Sequence, residues 1–128
     1  MKKTTALLMT GMLLLTACGD DDAGALDTCE GVADATIALV QDVIDEFEAL
    51  TPSEASDVMS GQMTPAFEAI ATRGTEIGTA AETLACADLD AMVAERADQL
   101  VADPANGFTQ LIKQGTMDGE DVLGRLFR

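Results

Sequence analysis

The chain has 128 residues, with 23 acidic side chains against seven basic ones, a formal net charge of -16, and no histidine, tryptophan or tyrosine. Such a charge repels phosphate backbones and anionic head groups, which argues against nucleic acid and makes a cationic partner the electrostatically favoured one. Without histidine the chain lacks the usual general base near neutral pH and the commonest metal ligand, while 48% hydrophobic residues set it apart from disordered chains.

Lys2 and Lys3 precede an apolar run from Ala6 to Leu15, followed by small residues and a cysteine. The run is about half of the roughly 20 residues that a spanning helix needs, so it predicts an export signal and not a permanent span. Its end, Leu15, Thr16, Ala17 and Cys18, matches the lipobox, and here the chain resembles the bacterial lipoproteins. The resemblance covers the first 18 residues only. It implies diacylglyceryl transfer to the Cys18 thiol, cleavage between Ala17 and Cys18, N-acylation of the new terminus, and a membrane contact made through that lipid. Gly19 follows Cys18 where an aspartate would signal retention at the inner membrane. The implied location is therefore the outer membrane, or the outer face of the plasma membrane where that is the only one.

This reading divides the chain into a signal peptide (1–17), a lipidated cysteine with an acidic flexible tether (18–27) and a helical domain (28–128). The tether, reaching at most roughly 30 Å, has little to pack. Cleavage would remove Lys2 and Lys3 and take the net charge from -16 to -18. Cys18 to Thr72 contains 13 acids and no base. With Cys18 carrying lipid, Cys29 and Cys86 remain as a pair that an oxidising compartment would join; a metal or redox role is the alternative.

In the domain, Cys29, Ala33, Ile37, Val40, Ile44, Phe47 and Leu50 recur every three or four residues, predicting a first helix over 28–50. Asp34, Gln41, Asp42, Asp45 and Glu48 form its predicted solvent face. Thr51, Pro52 and Glu54 read as a capping box for a short second helix that stops near Gly61. Thr64 and Pro65 start a third, with Phe67, Ile70, Gly74, Ile77, Ala81 and Leu84 along one stripe, whose small residues suggest close approach to a neighbour. Asp88 is read as the cap of a fourth that buries Leu89, Met92, Val93, Ala97, Leu100 and Val101 before Pro104. Asp103 and Pro104 begin a short fifth around Phe108, Leu111 and Ile112, ending at Gly115. Asp118 caps a sixth bearing Val122, Leu123, Leu126 and Phe127. The expected fold is all-α, a small bundle of three longer helices plus short ones, with the third antiparallel to the first so that Cys86 meets Cys29.

Catalytic signals are sparse. Ser53, Ser56 and Ser60 have no histidine partner, and Lys113, the only lysine after the signal, reads as a solvated charge. No phosphate-cradling glycine loop or calcium-binding EF-hand is present, and Asp42, Asp45 and Glu46 read as a solvated acidic face. Met59 and Met63, four apart, are weak candidate ligands for a soft cation such as Cu(I), with core filling the simpler use. The expected function is non-catalytic, without a cofactor: binding or scaffolding in the envelope, toward a cationic protein or peptide, with small-ligand or metal-ion binding as the alternative.

Overall fold

The computed structural model describes residues 25–126. Cys18, with the lipobox before it, and Phe127 lie outside that range. Among the described residues there are six α-helices, one 3-10 turn and no strand.

Three threonines start the first half of the fold. The Thr28 hydroxyl accepts from the Gly31 N–H at 3.0 Å and opens α1 (Cys29–Ala49). Thr51 opens α2 (Pro52–Met59) and Thr64 opens α3 (Pro65–Leu84), each followed by a proline whose missing N–H would have had no partner in a first turn. At Thr51 the box is complete: its N–H donates to the Glu54 carboxylate at 2.8 Å, and Glu54 N–H returns to the Thr51 hydroxyl at 3.4 Å. Gly61, at φ +97°, then turns the chain toward α3.

Cys86 follows the end of α3 and is bonded to Cys29, with the two Cα atoms 5.6 Å apart. α3 thus runs back along α1, as the stripe spacing and the cysteine pair predict. α4 (Leu89–Arg96) continues into a 3-10 turn (Ala97–Gln99), and α5 (Gly107–Met117) and α6 (Val122–Leu126) follow.

α1 is the central rod, packed by α3, α4 and α5. Its buried surface includes Val32, Leu39 and Val43 beside the predicted stripe, while Asp34, Asp42, Asp45 and Glu48 of the predicted solvent face stay exposed and Gln41 is half-buried. Asp34 meets Arg96 at 2.7 Å, and Gln41 and Glu48 are engaged by the chain after α4. Phe67, Ile70, Ile77, Val93, Leu100 and Ile112 complete the core. Far along α1 from the disulfide, Phe47 sits between Phe67 and Phe108, with ring centroids 4.8 and 4.6 Å away.

The last third departs from local periodicity. Gln41 donates to the Val101 carbonyl at 2.9 Å and accepts from the Val101 N–H at 2.8 Å. Glu48 accepts from the Asp103 N–H at 2.5 Å and the Thr109 hydroxyl at 2.9 Å. These bonds hold the irregular stretch after Leu100 beside α1; the predicted fourth helix stops at Arg96, tightens into the 3-10 turn, and leaves Val101 72% exposed instead of buried. Asp88 makes no side-chain cap. Asn106, not Asp103, caps α5 by accepting from the Phe108 and Thr109 N–H groups. Leu111 faces solvent, and Gly115 is buried inside the helix it was expected to end. The residue ahead of α6 is Asp121 rather than Asp118; its carboxylate accepts from the Gly124 N–H at 2.9 Å.

The described end of the expected tether is packed. Leu26 is half-buried against the core, and the Ala25 carbonyl lies so close over Gly31 that a Cβ there would collide with it.

Candidate functional site

Two of the clefts on the domain are bordered by α6. The first, of about 310 Å³, lies where α1, α3, α4 and α6 converge. Leu39 and Val40 of α1, Ile77 of α3, Val93 of α4 and Val122 and Leu123 of α6 give it an apolar lining. Gly74 and Gly78 form part of the α3 wall. Gly74, on the stripe expected to approach a neighbour closely, leaves room for a Cβ at an ordinary 3.5 Å from Leu39, and a Cβ at Gly78 would meet nothing within 4 Å. The effect of the missing side chains is a lower wall and an open trough.

The polar groups around this trough are chiefly threonines and carboxylates. Thr116, at 2% exposure, donates to the Ile112 carbonyl at 2.8 Å. Asp90 stands on α4, and Glu120 and Asp121 stand just ahead of α6. Glu120 pairs with Arg125 at 2.8 Å, and no lysine or arginine is among the described residues that line the cleft. The lining is therefore chiefly apolar, with exposed carboxylates among its residues.

The second cleft, of about 460 Å³, is bordered by Phe47, Val58, Met59, Met63, Phe67 and Phe108, with Arg125 and Leu126 of α6 on its other side. Met59 is the last residue of α2 and Met63 follows the Gly61 turn, so the two do not share the helix face their spacing suggests. They are 68% and 37% exposed, so neither fills the core.

The other sequence candidates are dispersed. Cys29 and Cys86 are committed to their bond. Ser60 donates its hydroxyl to the Asp57 carbonyl at 2.8 Å, and Ser53 and Ser56 are exposed on α2. Among the described residues no three His, Cys, Asp or Glu side chains converge to hold a metal, and Asp45 instead accepts from the Gln41 amide at 2.8 Å. Burial, and secondarily repulsion from Asp45, raise the Asp42 carboxyl above the usual carboxylate range, against a smaller opposing pull from Arg73. The hydroxyl and N–H of Thr51 hold the exposed Glu54 carboxyl below it. No helix among the described residues is long and apolar enough to cross a membrane.

Sequence reasoning missed the first cleft because its lining comes from four elements far apart in the chain. The one local trace was the pair of glycines four residues apart on α3. Comparison with protein-family models, with curated proteins and with solved structures finds no match to this chain.

Proposed function

We propose that the chain is an exported lipoprotein, anchored to a bacterial membrane through lipid on Cys18, whose helical domain works by binding and not by catalysis. The lipobox Leu15-Thr16-Ala17-Cys18 behind a charged and then apolar leader supports the anchoring. The observation that carries the binding role is the apolar-lined trough between α1, α3, α4 and α6. A base-free stretch from Cys18 to Thr72 supports a preference for a cationic partner, protein or peptide.

The geometry suits an anchored domain. Ala25 lies at the disulfide end of α1, and 18–24 span at most about 25 Å, so that end would face the membrane. α1, 21 residues long, then extends roughly 31 Å outward and presents the Met59 and Met63 end to the envelope space.

Native mass spectrometry of the protein released gently from its own membranes tests both halves. A chain beginning at Cys18 with diacylglyceryl mass, carrying a bound partner or ligand, is the expected result. An unmodified Cys18 overturns the anchoring, and a lipidated chain that never carries another molecule overturns the binding role.

A further inference from the structure

We propose that Asn106 is a site of spontaneous covalent modification, deamidating through a cyclic imide with Gly107 at a rate set by opening of the α5 cap. This is independent of what the domain binds and concerns how the domain changes with age.

Asn106 is the only asparagine in the chain, and a glycine follows it. The neighbour matters because the attacking atom is its backbone nitrogen, and with no Cβ beside that atom the approach to the side-chain amide is unhindered. Solvent base takes the Gly107 amide proton, and the nitrogen forms a bond to Asn106 Cγ. The bond from Cγ to Nδ2 breaks, and that nitrogen leaves as ammonia, carrying a proton returned by solvent. Water then adds to one of the two imide carbonyls. Opening at Cγ leaves the peptide bond in place and an aspartate at 106. Opening at the main-chain carbonyl routes the backbone through Cβ and Cγ, as isoaspartate. Nothing is oxidised or reduced, and water is the only co-reactant.

The fold sets when this can happen. Asn106 sits at φ -97° and ψ 96°, with its Oδ1 accepting from the Phe108 and Thr109 N–H groups at 3.1 and 3.2 Å. Ring closure needs the Gly107 nitrogen in line with Asn106 Cβ, which for an L-residue is a negative ψ. The capped conformation excludes that alignment, so the reaction waits until the first turn opens. Such an opening is local, since helix ends part at lower free energy than the core. Gly107 is exposed and is the first helical residue, whose N–H has no partner within α5.

The two products act differently on α5. Aspartate caps as well as asparagine. The first turn of α5 holds no acid, so the new charge is favourable at that terminus, against repulsion from Glu48, which accepts from the neighbouring Thr109 hydroxyl. Isoaspartate lengthens the main chain and removes from it the Asn106 carbonyl that accepts from the Gln110 N–H at 3.1 Å. It should therefore loosen Phe108 from Phe47 at the border of the second cleft.

The test incubates the full chain in mildly alkaline buffer, folded and in guanidinium chloride, and follows its tryptic segment 97–113 by mass spectrometry. A gain of about one dalton at Asn106 is expected in both states. In the folded state it should be slower by the factor that protects the Phe108 and Thr109 amides from hydrogen exchange, because the same opening frees all three groups. Gly107→Ala should slow the gain roughly tenfold or more in both states. That variant keeps its fold, since a Cβ at Gly107 would meet nothing within 4 Å. No gain in the folded chain while those two amides exchange, equal rates in the two states, or a gain that Gly107→Ala leaves unchanged would each overturn the proposal.

Discussion

Ala85 carries a side chain in the left-handed region, at φ 52°, where glycine sits without steric cost. It ends α3 and lets the Cys86 N–H return to the Ala81 carbonyl at 3.1 Å, which aims Cys86 back at Cys29. Ala85→Gly is expected to raise the unfolding free energy by about 1 kcal/mol in denaturant titration, because glycine relieves that crowding. Asp42 is strained electrostatically. Since its folded carboxyl is raised above the unfolded value, the folded state holds a proton that the unfolded state releases between the two, and stability falls as pH rises through that window. Asp42→Asn should therefore raise the melting temperature near neutral pH, and the gain should vanish once pH falls below the ordinary carboxylate value of about 4. Glu54 has the opposite sign: its contribution to the α2 cap is present near neutral pH and lost as acid protonates it.

At the scale of elements, the helices divide by what decides them. α1, α2 and α3 were legible because their starts are written within four residues, in Thr28, Thr51-Pro52-Glu54 and Thr64-Pro65, and their buried faces repeat every turn. After Cys86 the three helices and the burial of Val93, Ala97, Leu100 and Ile112 were legible too, but the break at Arg96 and the exposure of Val101 and Leu111 were not, because Gln41 and Glu48 hold that stretch from 55 to 61 residues away and local periodicity carries no trace of them. The first cleft was illegible for the same reason, since its floor exists only after four helices have met. α6 depends on Gly115: a Cβ there would stand 3.0 Å from Val122 Cγ2 and 3.3 Å from Glu120 Oε2. Gly115→Ala should gain helix propensity of about 1 kcal/mol in α5 while pushing α6 outward. The expected readout is faster amide hydrogen exchange over 123–126 with the core signals unchanged.

For the whole molecule, the disulfide is the longest-range covalent constraint described. It spans 57 residues of sequence and joins the membrane-facing ends of α1 and α3 under the proposed orientation. Replacing Cys29 and Cys86 together by serine should lower the unfolding free energy by about 4 kcal/mol, a large part of the roughly 5–15 kcal/mol typical of a domain. Chemical denaturation of the oxidised and doubly substituted proteins measures this directly. The pairing with Gln41 has a further meaning between molecules. A non-helical stretch with an exposed valine offers unpaired N–H and C=O groups on which a second chain can add as a strand. Gln41 occupies both groups of Val101 with a side-chain amide that mimics a neighbouring strand one residue wide. Where many copies meet, that single glutamine would act as a guard against self-association, so losing it would both loosen the stretch after Leu100 and open an edge to other chains.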